Sequence, residues 1–171
     1  MVEIVAHNPL WTDDSRAERK AIRSAMGPHL ITLHHIGSTS IPGIHAKPVI
    51  DMLAVAPSVE ALDAAAPALV RLGYEAMGEY GIEGRRYFRK DDAAGRRTHH
   101  LHSFAADSPD IERHLAFRDF LRAHPDIAER YSALKQQLVT GSVDYIEGKA
   151  PFVLATQADA MVWYRAQPGS Y

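Results

Sequence analysis

The sequence predicts an α/β fold: a mixed β-sheet flanked by helices, followed by a helical C-terminal third. Three observations point there. Val49, Ile50, Met52, Leu53, Ala54 and Val55 form a short apolar run of the kind a buried strand presents. Segments 85–90 and 97–104 flank the turn Asp91-Asp92-Ala93-Ala94-Gly95 and predict a hairpin. Beyond Ser108 the apolar spacing is helical. A length of 171 residues suits one domain over 1–171 with a real core.

Taken in order, residues 2–7 alternate apolar and polar and suggest a short strand. Asn8-Pro9 makes a turn, with Trp11 as a core anchor beside it. A helix follows from about Asp13 to Met26, with Ile22, Ala25 and Met26 on one face. Ser15 and Glu18 have capping-box spacing, Asp13 and Asp14 are alternative starts, and Gly27-Pro28 stops the helix. Leu30 to Ile36 alternates as a strand, and the Asp51 strand follows a polar turn. Ser58 caps a helix through Leu72, where Pro67 predicts a kink or two short helices. Tyr74 to Met77 reads as a strand and Gly78 to Gly84 as a Gly-rich loop before the hairpin. Ser108-Pro109-Asp110 opens a helix to about Arg122, and Pro125 opens another through Val139. Gly148 and Pro151 place the start of the last helix near Ala150, running to Ala166.

Bulk composition narrows the function classes. Hydrophobic and charged shares of 46% and 23% are ordinary for a globular protein. With 19 basic against 21 acidic residues the net charge is −2, so nucleic acid is not a favoured partner. The absence of cysteine removes disulfides, thiolate metal sites and cysteine nucleophiles together. The first residues lack the basic-then-apolar layout of a signal peptide, and no apolar run nears the roughly 18 residues of a membrane span. A cytoplasmic protein with no membrane partner is the expectation. Ten histidines are the one compositional oddity.

Two stretches offer chemistry. Asp51 interrupts the apolar run, and a carboxylate there needs a partner, a hydrogen bond or a metal. Ahead of it, Gly37-Ser38-Thr39-Ser40 offers hydroxyls and open backbone N–H groups that suit an anion; the same residues also make a tight turn capped by its own hydroxyls. Further on, Thr98-His99-His100-Leu101-His102 places His100 and His102 on one strand face, where both imidazoles can converge on an ion or hydrogen-bond a substrate, the backbone or Asp51. His35, at the end of the preceding strand, is a third imidazole within reach, while His45 reads as a loop histidine. Arg85, Arg86, Arg89, Lys90, Arg96 and Arg97 cluster on the hairpin, where arginine forks suit phosphate and a solvated charged surface is the plainer role. Lys47 lies just ahead of the Asp51 strand, and Tyr131 and Lys135 share a helix face. There is no Walker A loop, no Gly-x-Gly-x-x-Gly and no Gly-x-Ser-x-Gly.

The string HIGSTSIPGIHAKPVIDML resembles the signature of the GrpB family, a group similar to the DNA polymerase β-like nucleotidyltransferases. The resemblance extends to Asn8-Pro9-Leu10-Trp11, to the His-His-Leu-His run, to Phe117-Arg118-Asp119-Phe120-Leu121, and to Tyr131 with Lys135 and Tyr145 with Lys149, nearly the whole chain. Two departures stand out: His34 occupies a place where the family shows Glu, and Leu53 stands where the superfamily's strand carries its second acid. Two-metal chemistry needs oxygen ligands to bridge the ions, and Leu53 offers none. The resemblance implies a nucleotide or phosphorylated small molecule as ligand, and Gly37, Ser38, Thr39, Lys47, Lys135 and, from the hairpin cations, Arg86 are its candidate holders. It also implies a divalent metal, Mg or Mn with Zn as the alternative, for which Asp51, His100 and His102 are candidate ligands, with His35 added by its place at the strand end. Asp51, His100 and His102 would then serve nucleotidyl or phosphoryl transfer. The rival readings are a catalytically degenerate nucleotide sensor and a single-metal His/Asp hydrolase.

Overall fold

In the computed structural model, which describes residues 2–169, five strands form one sheet. They are β1 (Thr32–Ile36), β2 (Ile50–Ala56), β3 (Glu75–Ala76), β4 (Arg86–Asp91) and β5 (Arg97–Ala105). Their order is β1-β2-β5-β4-β3. Only β2 and β5 run parallel; the other pairs are antiparallel. A parallel pair needs a long crossover, and here it carries the second helix and the first arm of the predicted hairpin. Helices α1 (Leu10–Met26) and α2 (Val59–Arg71) cover one face, and α3 (Pro109–Ala123), α4 (Pro125–Thr140) and α5 (Tyr145–Arg165) cover the other.

Strand β2 explains this two-sided core. Ile50, Met52, Ala54 and Ala56 pack with Ile22, Met26, Leu62 and Leu69 from α1 and α2. Leu53 and Val55 pack with Ile111, Leu115, Ala128 and Ala160 from α3, α4 and α5. Alternation along a strand sends successive side chains to opposite faces, so a continuous apolar run is what two covered faces require. Asp51 belongs to the α3–α5 face, one residue pair before Leu53. Leu53 has no exposed surface, so the place of the missing second acid is part of this core.

Several elements differ from the sequence expectation, each for a local reason. Residues 2–7 do not form a strand; Val5 alone bridges Ala46, with backbone bonds of 2.9 and 3.0 Å. Helix α1 begins at Leu10 because the Asn8 side chain accepts from the Leu10 N–H at 3.0 Å. The expected Ser15–Glu18 capping box is absent, since Ser15 is buried within α1 and Glu18 accepts from Lys90 and from the Tyr74 hydroxyl. Pro67 neither breaks nor divides α2, which stays one helix capped by Ser58. The expected strand at Tyr74–Met77 shrinks to Glu75–Ala76.

The largest difference lies in α5. It starts at Tyr145, not near Ala150, because Asp144 accepts from the N–H groups of Ile146 and Glu147, both at 3.0 Å. An aspartate N-cap satisfies donors that otherwise go unpaired. Gly148 lies inside the helix, and a Cβ there would run into Leu138 Cδ2. It marks a close approach of α5 to α4, which a helix stop would not need.

Leu53→Ala should cost about 2–5 kcal/mol in equilibrium denaturation, the range for truncating a buried leucine. Leu53→Asp should cost more than Leu53→Ala, because it adds an uncompensated buried carboxylate to the lost packing. If Leu53→Asp proves as stable as wild type, this position lies open to the cleft and outside the core.

Candidate functional site

The register of the sheet assembles the site. Asp51 pairs with His100 and Leu53 with His102 across the parallel β2–β5 ladder, so all four side chains share one face. His100 Nδ1 lies 3.1 Å and His102 Nε2 3.4 Å from the same Asp51 oxygen, Oδ1. Burial opposes ionisation of Asp51, but the hydrogen bonds and charge of His100 and His102 outweigh it and hold the carboxyl well below its ordinary range.

Above Asp51 sits the Gly37 turn. Gly37 has φ of +71°, and a Cβ there would lie 2.8 Å from Asp51 Oδ2, so both backbone and space call for glycine. Ser38–Ser40 forms one turn of 3-10 helix. Helix α3 pins both sides of the turn: Arg118 Nη1 donates to His35 O at 3.2 Å and Arg122 Nε to Ser40 O at 2.9 Å. Helix α4 reaches it through Lys135 Nζ, which donates to Ser38 Oγ at 2.8 Å.

These residues open on a cavity of about 230 Å³ that Lys47, Tyr145 and Lys149 also line. Its electrostatics are lopsided. Lys47 and Lys149 each hold their Nζ 4.9 Å from the Tyr145 ring centroid, and Lys135 lies 4.4 Å from that of Tyr131. Among the described residues, none of these three lysines makes a salt bridge with a carboxylate. Lys135 is 1% exposed. Its burial, reinforced by Lys149 and Lys47, pushes its amine down to about 7. Burial and Lys47 lower Lys149 as well, against the pull of Asp51.

Two predicted site residues fall elsewhere. His35 pairs with Met52, not Asp51, and faces α1; its Nε2 hydrogen-bonds Thr39 Oγ1 at 2.8 Å, so it does not join the other imidazoles. Burial brings it down to about 4, which leaves it neutral. Arg86 points to the α2 side and grips Asp63 through Nε at 2.7 Å and Nη2 at 3.3 Å, away from the cavity. Arg89, Lys90, Arg96 and Arg97 are likewise paired, with Glu75, Glu18, Asp92 and Asp91. Five of the six hairpin cations are therefore committed to carboxylates. His45 Nδ1 lies 3.4 Å from Ser132 Oγ, outside the group.

Tyr145 and Lys149 are the polar cavity residues not singled out as site residues from the sequence. Their signal was there: Tyr131-x-x-x-Lys135 and Tyr145-x-x-x-Lys149 repeat one spacing, and both put an aromatic ring and an amine on one helix face.

By spacing alone, Asp51, His100 and His102 could share one divalent ion. Ligand atoms of Asp51, His100 and His102 all lie within 4.8 Å of one another. One oxygen and two nitrogens suit Zn or Mn better than Mg, and with Leu53 buried there is no second carboxylate on β2 to hold a partner ion.

Comparisons with known proteins show the family and the fold. The family model described as GrpB protein matches residues 1–159. The UPF0157 protein YqkA of Bacillus subtilis (strain 168) is 43% identical over 170 residues, covering 97% of this chain and 49% of its own length. This chain thus spans about half of that relative. The conserved protein GrpB from Enterococcus faecalis, a crystal structure, matches with a TM-score of 0.89 at 37% identity, covering 95% of this chain and 99% of its own. The Cid1 poly(U) polymerase, in a MgGTP-bound crystal structure, matches with a TM-score of 0.51 over 87% of this chain and 50% of its own. At 12% identity that likeness is one of fold, and the fold is nucleotidyltransferase-like.

Two outcomes follow from the cavity. Gly37→Ala should destabilise the protein by about 1–3 kcal/mol in chemical denaturation, since the φ is unfavourable and the methyl meets Asp51. Lys135 binds its proton to about 10.5 when unfolded and to about 7 when folded, so the unfolded state holds more protons between those values. Its contribution to stability therefore rises with pH from about 7 to 10.5, and the burial penalty is fully present below 7. Denaturation of Lys135→Met across that window should show the slope reduced and stability at neutral pH raised; an unchanged slope would mean the amine is not held down by the fold.

Proposed function

Because the chain belongs to the GrpB family and has a nucleotidyltransferase-like fold, we propose that it binds a nucleotide or phosphorylated small molecule in the Ser38–Asp51 cleft and transfers a nucleotidyl or phosphoryl group there. One observation carries the reading: Lys47, Lys135 and Lys149 converge on a small cavity and have no salt-bridge partner among the described residues. A buried ammonium is costly unless an anion meets it, and a phosphate supplies the charge and the acceptors that three amines and two hydroxyls demand.

On this reading Ser38 and Thr39 orient the phosphate and the three lysines offset its charge. Lys135, held near neutrality without a ligand, takes up a proton as the phosphate arrives, because an adjacent anion favours the charged amine. Asp51 is too acidic to be an efficient general base near pH 7; it positions an acceptor hydroxyl or an ion. A divalent ion held by Asp51 with imidazole from the His100–His102 pair would stabilise charge developing on the transferred group. Charge neutralisation by lysines and pre-placed hydroxyls is the chain's own contribution. The buried Leu53 favours a second reading, a nucleotide sensor without turnover, since two-metal transfer lacks a ligand at that place.

The test is thermal stabilisation against a nucleotide panel, with and without Mg, Mn and Zn. A ligand at a hundred times its dissociation constant adds about 2.7 kcal/mol. Asp51→Asn should abolish the metal-dependent part of the shift, and Lys149→Met should weaken nucleotide binding about tenfold or more, a loss of about 1.4 kcal/mol. Binding without turnover selects the sensor, and a response to transition metal alone selects a hydrolase. Full binding by Lys149→Met would remove the phosphate site from this cleft.

A further inference from the structure

We infer that Arg85 locks His102 as the Nε2–H tautomer, a hydrogen-bond donor to Asp51, and so withdraws His102 from metal ligation at this site. The inference deepens the proposed function, since it takes the Asp51 cleft to be the working site.

A guanidinium has five N–H donors and no acceptor. Arg85 Nη1 lies 3.2 Å from His102 Nδ1, so Nδ1 must accept. In a neutral imidazole the single proton then resides on Nε2. That nitrogen faces Asp51 Oδ1 at 3.4 Å, an acceptor waiting for it. Nε2 with its proton has no lone pair to give an ion. Metal-bound histidines usually show the reverse arrangement, in which the distal nitrogen donates to a carboxylate or carbonyl and the proximal one ligates.

Arg85 is fixed in place. It is 7% exposed, and its other nitrogens donate to Glu79 O at 3.1 Å and Tyr80 O at 2.8 Å. Its guanidinium carbon lies 4.9 Å from the Tyr87 ring centroid, and Tyr87 stacks on Tyr80 at 5.2 Å. Of the six hairpin cations, Arg85 is the one without a carboxylate partner among the described residues; its acceptors are two carbonyls and one imidazole. Among the described residues no guanidinium holds His100 in this way, and its Nδ1 can donate to Asp51 or ligate.

The consequence is a two-ligand protein site, Asp51 and His100. Three protein ligands are usual for catalytic zinc, so the missing ones must come from water or from the bound phosphate. An ion is then taken up together with its phosphorylated ligand and weakly before it. The ligand class is a metal–phosphate complex, such as a nucleoside triphosphate carrying Mn or Mg.

Ring-nitrogen NMR of wild-type His102, well above the ordinary histidine range, should show the Nε2–H tautomer. Calorimetric titration with Zn or Mn alone should show weak binding to wild type, and at least tenfold tighter binding to Arg85→Met. A nucleoside triphosphate should tighten wild-type metal binding by a comparable factor. An Nδ1–H signal in the wild type overturns the inference, as does metal binding that is equal in wild type and Arg85→Met. If that variant does not fold, the wild-type NMR signal decides. Should nucleotides fail to bind while His102 shows the Nε2–H signal, the proposed function falls and the tautomer lock stands.

Discussion

Parallel pairing of β2 with β5 is the constraint on which the cleft depends. It sets Asp51 beside His100 and Leu53 beside His102 on one face, and a shift of one residue would turn every one of these side chains to the other side. Burial enforces the register. Met52 and Ala54 must meet α1 and α2, while Leu53 and Val55 must meet α3–α5, so no slipped pairing leaves both cores filled. The carboxylate is tolerated at the strand's start because two imidazoles meet one of its oxygens and glycine backs the other.

Around that acid, the C-terminal helices complete the site. Arg118 and Arg122 tie the turn to α3, and Lys135 ties Ser38 to α4. Tyr145 and Lys149 enter from α5, whose Gly148 lies against Leu138 of α4. The result is a pocket richer in ammonium than in carboxylate. Positive charge that the fold leaves uncompensated is what an anionic ligand would complete, and this asymmetry separates the cavity from the hairpin nearby, where five of the six cations are committed to carboxylates.

Much of this was legible in residue order. The apolar run at β2, the hairpin of β4 and β5, the Ser58 and Ser108 caps and the Pro125 start all lie where local patterning puts them. So does the grouping of Asp51 with His100 and His102, because alternation fixes which histidines share a face. The misreadings have physical causes. Gly148 and Pro151 look like helix stops, and only the Asp144 cap and packing on Leu138 show the helix running through them. Starting α5 near Ala150 hid the fact that Tyr145 and Lys149 share a face.

Residue order alone accounts for the alternating α/β pattern, the Gly-Ser turn, the lone acid of β2 and the paired imidazoles of β5, since each rests on spacing within a few residues. Long-range contacts settled the rest. Arg86 was lost to Asp63 and His35 to the far side of the sheet, because pairing partners and strand neighbours are far apart in sequence. Lys135 became a buried amine, and Arg85 came to rest on His102, for the same reason. Charge type is written residue by residue, whereas which charge is left without a partner is decided only when distant segments meet.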